Sequence, residues 1–249
     1  FGSYIDTYTI EQAVKDGATI QLLYEGREAH VGVTGDSLDS LFDEYFGDRS
    51  DEEQAAIRKK FGNKRAVLEA PQRIRRVCID ILKHYREHIQ PNGFKAMIVT
   101  SSRHAAVLYK EMMDELEAPE SAVIISGDHN DDKRFWDYTD GQKHKQQINA
   151  FKKPLGHGEG KSGLSFLIVK DMLLTGFDAP IAQVMYLDKK IKEHNLLQTI
   201  ARVNRTSKNK FKGYIVDYYG LSDYLTEALE MFSNEDVRGA LTNFKEELP

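Results

Sequence analysis

Five short apolar runs in the second half of the chain constrain its fold most. They are FKAMIVT (94–100), SAVIIS (121–126), GLSFLIV (163–169), QVMYLD (183–188) and FKGYIVDY (211–218). Each is continuous rather than alternating, which is the pattern of a strand buried on both faces. Helical patterns over 103–118, near 141–152 and near 194–204 lie between them. Parallel strands need long crossovers, and helices supply them. The rhythm therefore predicts an α/β fold, a parallel sheet with helices on both faces.

The flanks read differently. Residues 1–36 suggest a connector with one strand, because ATIQLLYEGREAHVGV alternates. Residues 37–69 are charged and helical in pattern. A stripe of Ile74, Val77, Cys78, Ile81, Tyr85 and Ile89 predicts a helix over 72–90, and PNG at 91–93 breaks it. Residues 221–249 resemble a helical tail. The expected division is 1–91 as connector and packed helical segment, 92–220 as the α/β lobe, and 221–249 as the start of a following helical region. The chain opens FGSYIDTYTI without an initiator methionine, which suggests a piece of something longer.

Charge and cysteine content narrow the function. A net charge of −5 gives no global basic signal for nucleic acid, so any such contact must be local. The single cysteine, Cys78, excludes an internal disulfide framework and suits a reducing, cytoplasmic setting. Its apolar neighbours make it a core residue rather than a nucleophile. No apolar run approaches a membrane span, and no signal peptide is visible.

Two motifs are imitations. GHGEGKSG (156–163) has three residues between its first and third glycines where a P-loop needs four, and it opens a strand instead of a helix. It reads as a surface loop. DEEQ (51–54) lacks the apolar strand that would deliver a carboxylate box, and reads as a solvated face. The histidines show no metal-ligand spacing, so no metal site is expected.

Three stretches carry chemistry. In LLQTIARVNRTSKN (196–209), Gln198, Arg202 and Arg205 are spaced i, i+4, i+7 on one helical face, with no carboxylate nearby in sequence. Arginine forks suit phosphate oxygens. LIVKDMLLTGFDAP (167–180) places Thr175, Gly176 and Asp178 beyond a strand, where ligands of open α/β sheets bind. AMIVTSSRHAA (96–106) ends a strand in Thr100, Ser101, Ser102 and Arg103 as a helix begins, a natural anion site. Each has a plainer reading: surface ion pairs, an ordinary turn and simple N-capping. From Lys189 to Lys212, eight Lys/Arg face one acid, Glu193. That net of +7 leaves −12 on the rest of the chain.

In chain order, AMIVTSSRHAA, LIVKDMLLTGFDAP and QTIARVNR resemble motifs IV, V and VI of the second RecA-like lobe of superfamily 2 helicases and translocases. The Q-x-x-x-R-x-x-R spacing of motif VI is intact in QTIARVNR. TGFDAP, QTIARVNRT, YTIEQAVKDGAT followed by LYEGR, and SGDHND are most similar to the motor (R) subunit of type I restriction enzymes. The resemblance covers nearly the whole chain.

The resemblance implies an ATP-dependent DNA translocase within a type I site-specific deoxyribonuclease. ATP and Mg2+ would be held mainly by a first lobe absent from this sequence. Arg205 would be the finger to the γ-phosphate, Arg202 a second phosphate contact, and Gln198 would orient water or phosphate. Gly176 and Asp178 would meet the nucleotide. Thr100, Ser101, Arg103 and Thr175 would face DNA phosphates. The implied partners are duplex DNA, the upstream lobe and nuclease domain of the same subunit, and the modification and specificity subunits. Alone, the chain is expected to hydrolyse no ATP. The alternatives are a lobe of another superfamily 2 helicase, a Rossmann-like transferase using Asp178, and a non-enzymatic docking domain.

Overall fold

The computed structural model describes residues 20–27, 37–191 and 193–221. The proposed tail beyond 221, and most of the stretch before β1, lie outside the described residues. The strands are β1 (Gln21–Gly26), β2 (Lys95–Thr100), β3 (Ser121–Ile124), β4 (Phe166–Val169), β5 (Ala182–Asp188) and β6 (Lys212–Asp217). They form one sheet in the order β1-β6-β5-β2-β4-β3, with every pairing parallel. This is the α/β architecture, an all-parallel sheet with helices on both faces, that the apolar runs predict. The upstream strand β1 joins the sheet as its edge, with Gln21 opposite Lys212 and Gly26 opposite Asp217.

The helices are α1 (Ser37–Phe46), α2 (Asp51–Phe61), α3 (Asn63–Leu68), α4 (Pro71–His84), α5 (Arg103–Glu115), α6 (Lys133–Trp136), α7 (Gly141–Lys152) and α8 (Glu193–Ile200). After α4 the chain widens into a π-helical turn at Tyr85–Ile89 and stops at a 3-10 turn before Gly93, whose φ is +78°. That left-handed conformation favours glycine. The DEEQ stretch is the exposed first turn of α2, where Ser50 and Glu53 make a reciprocal capping box. The GHGEGKSG stretch is a loop leading to β4, with Gly156, Gly158 and Gly160 all at positive φ.

Alternate residues of each strand feed two separate cores. Met97, Val99, Leu167, Val169, Met185, Leu187 and Ile215 pack under α1, α3, α7 and α8. Ala96, Ile98, Phe166, Ile168, Val184, Tyr186 and Val216 pack under α4 and α5. Cys78 is fully buried in the second core, and burial pushes its thiol pKa up, so it is a small core residue. No described helix is long and apolar enough to cross a membrane.

This arrangement creates a switch point. The neighbours β2 and β5 send their following helices, α5 and α8, to opposite faces. A crevice is expected at their carboxyl ends. Here that point is plugged. Asp188, opposite Thr100, receives both Nη atoms of Arg73 at 2.8 and 2.7 Å and the Tyr109 hydroxyl at 2.6 Å. Arg73 also donates to the Tyr218 carbonyl at 3.1 Å. Arg73 and Tyr109 are fully buried and Asp188 is nearly so. The opening at this end is therefore displaced to one side, over β2 and β4.

At the other end of the sheet, Lys210 is buried. Its ammonium donates to the carbonyls of Pro180 at 2.9 Å and Ala182 at 2.7 Å, which ties the lead into β6 to the lead into β5. Burial pulls its pKa down from 10.5 to about 7. Between those pH values the unfolded chain keeps a proton that the folded chain has released. Stability should then rise with pH across that window, by at most about 1.4 kcal/mol per unit. Urea midpoints from pH 6.5 to 9.5 should show wild type gaining on Lys210→Met. A constant difference between the two would contradict this.

Candidate functional site: two arginines on a crossover, and a basic cleft

Motifs V and VI meet on one face of the sheet. After β4, residues 170–181 do not form a helix. They cross the face that α7 and α8 share, burying Leu174, Phe177 and Ala179 in that core and leaving Thr175, Gly176 and Asp178 exposed. Gly176 has φ +72°, and a Cβ there would meet nothing within 4 Å. The glycine is required by its backbone conformation, not by a close neighbour. The sequence placed these residues at a strand exit, whereas they sit along the crossover.

The arginine motif also needs correcting. The sequence suggested a helix running past Arg205, but α8 ends at Ile200. The Arg202 and Val203 amides bond back to the carbonyls of Thr199 and Ile200 at 3.1 Å each, three residues away instead of four. Arg202 Nε takes over the Gln198 carbonyl at 3.1 Å, the acceptor its own amide would have used in a helix. Val203 is buried, and its carbonyl lies where a Cβ on Gly213 of β6 would approach to 2.6 Å. The bare glycine in β6 thus lets the turn seat. Only Gln198 is helical; Arg202 is in the turn and Arg205 beyond it.

The turn still assembles the expected residues. Arg202 Nη1 donates to the Phe177 carbonyl at 2.6 Å. Arg205 Nε lies 3.6 Å from Asp178 Oδ1, with both side chains more than half exposed. The carboxylate missing from the neighbouring sequence, Asp178, arrives from the crossover, which is the surface ion pair of the plainer reading. A pair so exposed is worth about 0–1 kcal/mol and exchanges readily. Burial first, then the charge of Arg205, lower the Arg202 pKa, while Asp178 opposes them. An arginine nevertheless stays charged at any physiological pH. The Gln198 side chain is exposed.

Motif IV lies at the carboxyl end of β2. Thr100 is fully buried, and its hydroxyl is shared between the carbonyls of Ser102 at 3.0 Å and Val169 at 3.2 Å. It shapes the loop and presents no hydroxyl outward. Ser102 caps α5 by accepting from the Ala105 amide, and donates to Glu69 Oε1 at 2.7 Å. Arg103 donates to the Ser126 carbonyl at 2.7 Å, forks onto Asp131 and lies over the Phe135 ring. The Ser101 hydroxyl is buried with no protein partner.

Ser101, Ser102 and Arg103 line a cleft of about 830 Å³. Its wall also holds Lys60 of α2, Arg65 of α3, Glu69 just beyond α3, His104 of α5, Arg134 and Phe135 of α6, and Lys170 after β4. Lys60, Arg65, Glu69, Arg134 and Phe135 belong to no motif read from the sequence, whereas His104 and Lys170 lie inside the stretches 96–106 and 167–180 with no role assigned there. Short-range spacing could not find them, because they come from five separate segments. Among the described residues no group of His, Cys, Asp and Glu could hold a metal ion.

Comparison with known proteins gives a consistent result. Residues 129–220 match the family described as type I restriction enzyme subunit R domain 3, and residues 1–55 match SWI2/SNF2 ATPase. A Methanocaldococcus jannaschii protein named as type I restriction enzyme MjaIXP endonuclease subunit is 35% identical over 98% of this chain and 23% of its own length. The type I restriction enzyme HindI endonuclease subunit of Haemophilus influenzae is 32% identical over 100% of this chain and 24% of its own. The chain thus spans about a quarter of the curated relatives it matches. A fragment of an HsdR subunit of a type I restriction enzyme from Vibrio vulnificus shares the fold at a TM-score of 0.55 and 16% identity, over 90% of this chain and 37% of that one.

Proposed function

We propose that this chain, similar over nearly its full length to about a quarter of type I restriction enzyme endonuclease (R) subunits, acts as the second, RecA-like motor lobe of such a subunit. The observation that carries the reading is the junction of the two motifs. Arg205 and Asp178, remote in sequence, meet in a weak, half-exposed pair beside the Arg202 clamp on Phe177. A phosphate presented to this face by a facing lobe competes easily for Arg205, since little is lost when the pair opens.

In this reading Arg205 leaves Asp178 and donates to the γ-phosphate of ATP. Arg202 keeps its hold on the crossover and adds a second positive charge. Gln198 orients water or phosphate from the last turn of α8. Asp178, once released, and the backbone at Gly176 meet the nucleotide. The two guanidinia fit an oxyanion, and in this reading ATP and Mg2+ would be held mainly by the first lobe. Bound Mg-ATP supplies the phosphoryl group and its neutralising metal. The chain supplies positioned charge. Thr175, Ser101 and Arg103 face duplex DNA, with Thr100 bracing them from beneath. Nuclease, modification and specificity partners belong to the rest of the assembly.

A docking role is the second reading. Phe211 is 79% exposed within the basic stretch that leads into β6, as a contact residue for a partner would be. An R subunit carrying Arg205→Ala separates the two readings. The motor role predicts retained assembly with lost ATPase, and the docking role predicts the reverse.

A further inference from the structure

The strands β4 and β5 do not touch, because β2 lies between them in the sheet. One side chain nevertheless bridges their carboxyl ends. Lys189, the first residue after β5, keeps only 14% of its side chain exposed. Its ammonium donates to the Lys170 carbonyl at 3.1 Å and to the Asp171 carboxylate. Lys170 and Asp171 are the first residues after β4, where the crossover begins. Two strand spacings make a gap of about 10 Å, which takes a long side chain to span. Asp171 also lies 3.0 Å from the Lys170 ammonium. Burial raises the Asp171 pKa, but the two lysines outweigh that and lower it, so the carboxylate is charged at neutral pH.

The crossover needs such a hold. Leu173 has φ +69°, in the left-handed region that side chains disfavour, and Gly176 follows at +72°. Local backbone preference therefore does not select this path. The path is imposed from outside, and at two points by cations of the segment that follows β5. Lys189 holds 170–171, and Arg202 holds the Phe177 carbonyl at 2.6 Å. Thr175 and Gly176 lie between these two clamps, and Asp178 directly follows the second. Arg202 belongs to motif VI, whereas Lys189 lies in none of the three motifs.

We propose that Lys189 is a positioning residue for ATP hydrolysis by the motor. It fixes the start of the crossover across the end of β2, so that Gly176, Asp178 and the Phe177 carbonyl that seats Arg202 stand in register with Arg205. The inference rests on the motor reading for the reaction, but the brace itself is measured without ATP.

The test uses an R subunit that carries both lobes, as wild type, Lys189→Met and Lys189→Arg. Hydrogen exchange of the peptide covering 170–178, followed without ATP or DNA, should quicken roughly tenfold or more in Lys189→Met, since the lost bond to Asp171 is charge-assisted. Peptides within β2 and β4 should keep their wild-type rates, because no core contact is removed. DNA-stimulated kcat should fall roughly ten- to hundredfold with KM for ATP little changed, as when an aligned group is displaced from its working position. Lys189→Arg spans the same gap with charge and donors, and should keep most of the wild-type kcat. Unchanged exchange in Lys189→Met would overturn the brace. Faster exchange with unchanged kcat would overturn the positioning role. So would a Lys189→Arg variant as slow as Lys189→Met, which would place the effect in packing and not in the ammonium bridge. Failure of the motor reading shows elsewhere, as wild-type turnover in Arg205→Ala, and leaves the exchange result standing.

Discussion

Arg205→Ala in an R subunit that carries both lobes should lower DNA-stimulated ATP hydrolysis by roughly 10³–10⁵-fold, the range for loss of an arginine finger. Folding should be unaffected, because Arg205 makes one exposed ion pair with Asp178 and no core contact is at stake. Arg202→Ala should behave differently. It removes the bond to the Phe177 carbonyl and the bond to the Gln198 carbonyl, so it loosens the crossover and the end of α8 together. Steady-state ATPase with and without duplex DNA, beside thermal melts, distinguishes an arginine that acts on phosphate from one that holds the loop. If Arg205→Ala retains wild-type turnover, the finger assignment is wrong.

The largest effect on stability is expected at Arg73→Ala. The side chain is fully buried, and its loss leaves Asp188 charged in the core with only the Tyr109 hydroxyl for company. Breaking such a pair from one side costs about 3–5 kcal/mol. At about 2–4 °C per kcal/mol for a domain of this size, the melting temperature should fall by roughly 6–20 °C. Replacing both partners with apolar residues, Arg73→Met with Asp188→Leu, should recover most of the loss, because no charge is then stranded. A melting temperature for Arg73→Ala within 2 °C of wild type would show that the plug at the switch point contributes little.

The strands were legible because their chemistry is unambiguous. All residues of β2, β3, β4 and β5 are buried, and continuous apolar runs of that length have few other uses. The pattern over 37–69 also folds as helices. The end of α8 was not legible, since ARVNR continues a helical spacing by eye. It stops because Val203 must dive beneath β6, where Gly213 makes room, and that is a tertiary constraint. The pairing of Arg205 with Asp178 was hidden for the same reason. The short helix α6 escaped notice inside a polar stretch, although Asp132 caps it. The fate of Thr100 depended on carbonyls supplied by two other segments. The basic cleft depends on residues scattered from Lys60 to Lys170, and only the fold brings them to one wall.

The central claim is that this lobe lends charge to an ATP held by another. It is tested most directly by measuring ATP hydrolysis by the 249-residue chain alone, with and without duplex DNA, beside an R subunit that includes the upstream lobe. The account predicts no turnover from the chain in either condition and DNA-stimulated turnover from the longer protein. Turnover by the chain alone would mean a complete nucleotide site within it, and the two-lobe reading would have to be abandoned.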